Sequence, residues 1–259
     1  MAVHFLPTLF APDELSGATA VIIDVLRAST TICHALAAGA RQVIPCLEVV
    51  NAREIADDLT ARGEQPLLGG ERDGVRIGGF DLGNSPDEYS PETVAGRTIV
   101  FTTTNGTRAM NQCHTARRVL VGSFVNLSAV CKELVGSEAR HLVCAGTQDR
   151  ITREDVLCAG AIADRLLVMG AVDENGLNDQ ARIARDAWRQ TMYGRDEPDS
   201  GSIETLARTL RDSQGGRNLI ALKLDRDIGA AAQMDRFRIV PELDISNWRV
   251  TTALPKGSG

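Results

Sequence analysis

Short continuous apolar runs recur along the chain, each followed by a polar loop and then an amphipathic stretch. Ala20-Val21-Ile22-Ile23-Asp24 leads through Arg27-Ala28-Ser29-Thr30-Thr31 into a helical pattern from Ile32 to Ala38, closed by Gly39. Thr98-Ile99-Val100-Phe101-Thr102 leads through Thr103-Thr104-Asn105-Gly106-Thr107 into a helix near Arg108 to Cys113. Val119-Leu120-Val121-Gly122-Ser123 precedes a helix from Leu127 to Leu134, and His141-Leu142-Val143-Cys144-Ala145-Gly146 precedes one from Glu154 to Met169. A run that is apolar at every position suits a strand buried on both faces, and alternation with helices makes the pairing mainly parallel. The pattern predicts an α/β fold, a three-layer α/β/α arrangement around a largely parallel central sheet in which some mixed pairing is allowed. Shorter strands are expected at Gln42 to Pro45 and Leu219 to Leu224.

Boundary residues agree with this reading. Ser85-Pro86 and Ser90-Pro91 each put a capping hydroxyl before a proline suited to a first helical position. Thr152-Arg153-Glu154-Asp155 starts a helix with acidic residues in its first turn, where they complement the helix dipole. The 171–218 stretch is more polar and is interrupted at Asn175-Gly176, Tyr193-Gly194, Pro198 to Gly201 and Gly215-Gly216. Trp188, Ile203, Leu206 and Leu210 still need burial, so it reads as a helical excursion on the sheet scaffold. The whole chain, 1–259, is expected to form a single α/β domain.

Composition narrows the function. The 259 residues are 43% hydrophobic and 24% charged, which is ordinary globular usage. Lys+Arg is 28 against Asp+Glu 34, a net charge of -6, so the basic footprint of a nucleic-acid binder is missing. There is no polybasic run for an anionic membrane, and no apolar stretch near the ~20 residues that span a bilayer. Met1 to Pro7 lacks the features of a signal peptide, so a soluble cytoplasmic protein is expected; a homo-oligomer is left open. The 6 cysteines show no CxxC or metal-finger spacing and are expected to be buried thiols.

In a parallel sheet, ligands bind beyond the carboxyl ends of the strands. That rule selects Asp24 to Thr31, Thr102 to Thr107, Ser123 to Asn126 and Gly146 to Asp155, with a long glycine-rich loop from Gly69 to Ser85. No GxxxxGK[ST] or GxGxxG is present, Leu26 stands where a DxD phosphatase needs its second carboxylate, no Cys-x5-Arg occurs, and the histidines form no HxH or HExxH pair. What remains is carboxylate, hydroxyl, amide, arginine and glycine backbone. Hard oxygen ligands suit Mg²⁺, and hydroxyls with backbone N–H groups suit an oxyanion. Arg27 and Arg72 could fork onto phosphate, sulfonate or carboxylate. Each segment has a plainer reading: Asp24 and Arg27 as a structural ion pair, Thr103 to Gly106 as a turn, Glu71 to Gly74 as a solvated charged turn, Gly83 to Pro86 as a helix cap.

Five ordered segments, Asp24-Val25-Leu26-Arg27-Ala28-Ser29-Thr30-Thr31, Gly69-Gly70-Glu71-Arg72, Gly79-Phe80-Asp81-Leu82-Gly83-Asn84-Ser85-Pro86, Thr103-Thr104-Asn105-Gly106-Thr107 and Glu154-Asp155, together resemble the 2-phosphosulfolactate phosphatase (ComB) family. The resemblance spans about residues 20 to 168 and continues through Asp225-Arg226-Asp227-Ile228. It implies a Mg²⁺-dependent phosphatase that releases phosphate from the small polyanionic ester 2-phospho-3-sulfolactate, a step towards coenzyme M. Asp24, Arg27, Glu71 and Asp155 are then the expected catalytic residues, with Asp24 as a metal ligand and Glu71 or Asp155 as the second. Arg27 would clamp phosphate beside the Ser29 and Thr30 hydroxyls. Asn84, Ser85, Thr104, Asn105, Gly106 and Thr107 would complete the anion pocket, and Arg72 would hold sulfonate or carboxylate. A phosphatase of another 2-hydroxy acid phosphate, and a non-catalytic anion-binding protein, stand as the alternatives.

Overall fold

The computed structural model describes residues 1–194 and 201–252. The strands are β1 (Ala2–His4), β2 (Thr19–Ile23), β3 (Gln42–Cys46), β4 (Leu67–Arg72), β5 (Val75–Arg76), β6 (Thr98–Thr102), β7 (Arg118–Gly122), β8 (Arg140–Cys144), β9 (Pro241–Asp244) and β10 (Arg249–Thr252). The helices are α1 (Ala28–Ala37), α2 (Val49–Ala61), α3 (Pro91–Val94), α4 (Gly106–Gln112), α5 (Leu127–Val135), α6 (Arg153–Val168), α7 (Asp179–Tyr193), α8 (Ile203–Arg211), α9 (Gln214–Ala221) and α10 (Asp225–Ala231).

All ten strands join one mixed sheet in the order β1-β8-β2-β7-β9-β10-β3-β6-β4-β5. Two parallel blocks, β1-β8-β2-β7 and β3-β6-β4, are spliced by the β9–β10 hairpin. The three steps from β7 through β9 and β10 to β3 are all antiparallel, so the two blocks run in opposite senses along the sheet. Residues that follow the carboxyl ends of both blocks nevertheless line one cavity.

Burial on both faces explains the continuous apolar runs. In β2, Val21 and Ile23 face a cluster with α5, α6 and α7, while Ala20 and Ile22 face α1 and α4 on the other side. Leu142 and Val143 of β8 divide in the same way. Val100 of β6 packs under α2 with Ala52, Ala56 and Leu59, whereas Ile99 and Phe101 join the cluster of α1 and α4. Each such fully buried aliphatic side chain contributes roughly 1.5–3 kcal/mol. Helices therefore flank the sheet on both faces, as the alternation predicts.

Several expectations are corrected here. Leu219 to Leu224 is not a strand: α9 carries Leu219 and a turn follows, because Ser213 caps the helix by accepting the Gly216 N–H. The stretch from Gly69 is not all loop, since Gly69 and Gly70 lie in β4 and pair with Phe101 and Thr102. Ser85, Ser90 and Thr152 precede helical turns but none accepts a capping bond. In the excursion, Trp188, Leu206 and Leu210 are buried as required, with Trp188 stacked on Phe124 at 5.7 Å, but Ile203 is exposed. Residues 198–200 of its expected interruption lie outside the described residues.

Candidate active site

After β2 the chain turns through Asp24, crosses a cis Leu26–Arg27 peptide and enters α1. The turn is closed locally: Asp24 Oδ1 accepts the Ala28 N–H at 3.2 Å, and the Asp24 N–H donates to Ser29 Oγ at 2.8 Å. Burial drives the Asp24 carboxyl up to about 7; the Ala28 N–H and Arg27 oppose this, and the Glu71 and Glu154 charges add to it.

A cavity of about 140 Å³ opens over this turn. It holds a few water volumes of ~30 Å³ each, the scale of a compact metabolite. Both parallel blocks build it: Asp24, Leu26 and Arg27 follow β2, Thr103, Thr104 and Asn105 follow β6, and Glu71, Asp73 and Gly74 come from the β4–β5 hairpin. Asn84 and the Thr147–Gln148 loop add to the walls, and α9 with its following turn supplies Gly215, Asn218, Leu219 and Leu222. The helical excursion is thus a wall of the site, a role its sequence did not signal.

Glu71 is held from two sides, Oε1 accepting the Thr104 N–H at 2.8 Å and Oε2 the Gly74 N–H at 2.7 Å. Arg27 is buried, with Nη1 donating to Asp227 Oδ2 at 2.7 Å and Nη2 to the Gly74 carbonyl at 2.8 Å. The plainer reading of Asp24 and Arg27 as an ion pair does not hold, since Arg27 pairs with Asp227. Among the described residues, four buried side-chain polar atoms lack a partner, and two of them, Asn84 Oδ1 and Thr104 Oγ1, belong to residues lining the cavity. Buried polar atoms are almost always paired, so such orphans point to a ligand. Asn105, also on the wall, accepts the Gln148 N–H at 3.2 Å.

Other expected site residues are spent on the scaffold. Ser29 and Thr30 are fully buried; Ser29 Oγ binds within its own turn, and Thr30 Oγ1 donates to the Val25 carbonyl and meets Ser123 Oγ. Thr107 Oγ1 donates to the Thr103 carbonyl. Arg72 donates to the carbonyls of Glu71 and Leu47 and to Thr102 Oγ1. Ser85 Oγ donates to Asp227 Oδ1 at 2.5 Å. Gly106 acts by lacking a side chain, since a Cβ there would stand 2.9 Å from Asp24 Oδ2. Asp155 accepts from Val25, Gly146 and Thr152 and stands behind the turn, its carboxyl pushed up by burial and by Asp24 and Glu154.

Two residues were quoted in the resembling segments but given no role at the site. Asp227, 200 positions from Arg27, is one of them, and it bonds the Arg27 guanidinium directly. Glu154 is the other: it is buried, its Oε2 is the third orphan, and it lies against Gly215 of the cavity wall, where a Cβ would stand 2.1 Å from Oε1. Burial raises its carboxyl, against the pull of Ser213, Gly215 and Arg217.

Among the described residues no three His, Cys, Asp or Glu side chains converge as a ready metal cage. Mg²⁺ asks for less, commonly one or two carboxylates with water and substrate oxygen. Of the three carboxylates that line the cavity, Asp24 and Glu71 are buried and could supply them, while Asp73 is exposed.

The profile of 2-phosphosulpholactate phosphatases matches residues 4–245. The chain belongs to the 2-phosphosulpholactate phosphatase family. A probable 2-phosphosulfolactate phosphatase of Symbiobacterium thermophilum is 43% identical over 230 residues, 88% of this chain and 92% of that protein. One from Pseudothermotoga lettingae is 38% identical over 234 residues, covering 90% and 93%, and one from Thermotoga petrophila 40% over 225, covering 87% and 88%. The resemblance drawn from five segments thus extends to nearly the whole chain. No helix among the described residues is long and apolar enough to cross a membrane.

Proposed function

We propose that the protein hydrolyses 2-phospho-3-sulfolactate to 3-sulfolactate and phosphate with the assistance of Mg²⁺. The observation that carries this reading is the meeting of Asp24, Glu71 and Arg27 in one small cavity, beside the unpartnered Asn84 Oδ1 and Thr104 Oγ1. In the reaction a water oxygen joins phosphorus, the ester P–O bond breaks, and a proton ends on the released 2-hydroxyl.

Asp24 and Glu71 would hold the ion. Each Glu71 oxygen accepts a single N–H, which leaves lone pairs for a hard cation. The charge balance also asks for one: Asp24, Glu71 and Asp73 line the cavity against Arg27 alone, and Arg27 is already paired with Asp227. An ester that carries carboxylate, sulfonate and phosphate would be repelled from such a site without a cation. When bound, Mg²⁺ supplies neutralisation of charge on the transferring phosphoryl group. Arg27 orients phosphate oxygens through its remaining N–H groups, the Thr104 hydroxyl and Asn84 amide meet the ester's polar groups, and Leu26, Leu219 and Leu222 limit water on the far wall.

The test is phosphate release from 2-phosphosulfolactate. Turnover is expected with Mg²⁺, is abolished by excess EDTA and returns when Mg²⁺ is restored. Undiminished turnover in EDTA would remove the metal from the reading. Equal turnover of 2-phospholactate would remove the sulfonate from the specificity.

A further inference from the structure

The Arg27 guanidinium is oriented by a chain of bonds that crosses the molecule. Ser85 Oγ donates to Asp227 Oδ1 at 2.5 Å, and Asp227 Oδ2 accepts from Arg27 Nη1 at 2.7 Å. Arg27 Nη2 donates to the Gly74 carbonyl at 2.8 Å, and the Gly74 N–H in turn donates to Glu71 Oε2 at 2.7 Å. Glu71 Oε1 accepts from Thr104 at 2.8 Å. Five separate parts of the chain meet here: the β2–α1 turn, the β4–β5 hairpin, the turn after β6, the Ser85 turn and helix α10.

Asp227 is only 2% exposed, and Arg27 only 5%. A carboxylate present merely to balance a buried charge needs no fixed orientation. Here both Asp227 oxygens are committed, one to the guanidinium and one to a hydroxyl, so the carboxylate plane is set and the guanidinium plane with it. Arg27 also lines the cavity, so with Nη1 and Nη2 each anchored the guanidinium plane beside it is fixed. We propose that Asp227 is a positioning residue of the active site, which fixes the guanidinium plane of Arg27 for a phosphate group, with Ser85 orienting Asp227. This rests on the reading of Arg27 as the phosphate clamp.

Asp227→Asn and Arg27→Lys, singly and together, test it on the full chain with Mg²⁺ present. The measurements are kcat, KM, inhibition by inorganic phosphate and melting temperature. A misplacement near 1 Å costs on the order of 10²-fold in rate. Asp227→Asn is therefore expected to lower kcat/KM by about 10- to 100-fold and to weaken phosphate inhibition. In the Arg27→Lys background, where no planar fork remains, the same change should cost less than about threefold. Ser85→Ala, which deletes one bond and no charge, should give a smaller loss with the same dependence on Arg27, and it serves where Asp227→Asn fails to fold. Equal fold-losses in both backgrounds, or a lowered melting temperature with unchanged kcat and phosphate inhibition, would overturn the positioning role while leaving Arg27 as the clamp. Full activity of Arg27→Lys would instead overturn the clamp itself, and the positioning role with it.

Discussion

Asp155 Oδ1 accepts the Val25 N–H at 2.8 Å, tying the start of α6 to the residue that follows Asp24 across 130 positions of sequence. The other oxygen accepts from the Gly146 N–H and the Thr152 hydroxyl, both at 3.0 Å. Asp155 therefore acts as a latch on the turn that carries Asp24. In Asp155→Asn the amide nitrogen must face at least one backbone N–H, and leaving such a buried donor unpaired costs about 1–3 kcal/mol. The expected outcome is a loss of that size in denaturant unfolding, together with reduced turnover because Asp24 loses its anchor. Wild-type stability with abolished turnover would return Asp155 to a direct chemical role.

Asp24 makes a pH prediction whose sign is fixed. Its carboxyl rises from 3.8 in the unfolded chain to about 7 in the fold, so the folded protein holds that proton more tightly. The contribution to stability is fully present below about pH 3.8 and is lost as the pH rises through 7. In metal-free buffer, Asp24→Asn should gain stability relative to wild type between pH 4 and pH 8. At about 1.4 kcal/mol per pKa unit, the relative gain is on the order of 2–4 kcal/mol. His4 and His34, both lowered to about 4 by burial, act oppositely on the whole protein, so the difference between variant and wild type is the informative quantity. The variant should have no measurable turnover. A relative stability that does not change with pH would refute the reading of Asp24.

The parallel blocks were legible because β2, β6, β7 and β8 are buried on both faces and so carry unbroken apolar runs. The splicing hairpin was not: Pro-Glu-Leu-Asp and Arg-Val-Thr-Thr alternate or mix polarity and contain no such run. Leu219 to Leu224 misled because apolar residues on a short helix match a buried strand until the Ser213 cap is seen. Gly69-Gly70 read as loop, yet Gly70 takes φ +139 in β4, and a Cβ there would stand 1.9 Å from the Thr102 carbonyl oxygen. That close approach brings Glu71 to Thr104.

Asp24, Arg27, Glu71, Asn84, Thr104 and Asn105 all line the cavity; the rule that loops at carboxyl ends carry function had selected the segments of Asp24, Arg27, Thr104 and Asn105, and the glycine-rich loop those of Glu71 and Asn84. The hydroxyls of Ser29, Thr30, Ser85 and Thr107 were indistinguishable from ligands, because a turn uses the same donors to close itself. Glu154 and Asp155 are neighbours on one helical turn, and spacing alone cannot say that Asp155 ties down Val25 while Glu154 lies against Gly215. Asp227 was quoted with its neighbours Asp225 to Ile228, but its pairing with Arg27 shows only when the fold brings α10 to that side chain.

The cysteines predict inertness. All six are buried. Burial pushes Cys46 up to about 11 and Cys113 and Cys131 to about 12, and raises Cys33, Cys144 and Cys158 as well. The thiolate is the reactive form, so iodoacetamide near neutral pH should leave turnover of the native protein within about twofold. After unfolding, all six should label. Inactivation in step with labelling of the folded protein would give a thiol a part in the reaction.

Gly106 opens α4 at the point where that helix passes Asp24. A Cβ there would stand 2.7 Å from the Ala28 Cβ, 2.9 Å from Asp24 Oδ2 and 3.3 Å from Thr103 Oγ1. Two effects compete in Gly106→Ala. Alanine gains up to about 1 kcal/mol of helix propensity over glycine, while overpacking costs roughly 1–3 kcal/mol. Ala28 sits in the first turn of α1 and cannot recede, so the start of α4 must shift away from it and the Asp24 carboxylate in contact with the new methyl is displaced as well. The net change in stability should stay below about 2 kcal/mol, but kcat/KM should fall on the order of 10²-fold with the displaced carboxylate. Gly136→Ala is the control, because a Cβ there meets nothing within 4 Å; it should keep full turnover. A Gly106→Ala protein with wild-type turnover would show that Asp24 Oδ2 need not occupy its present place for the reaction to run.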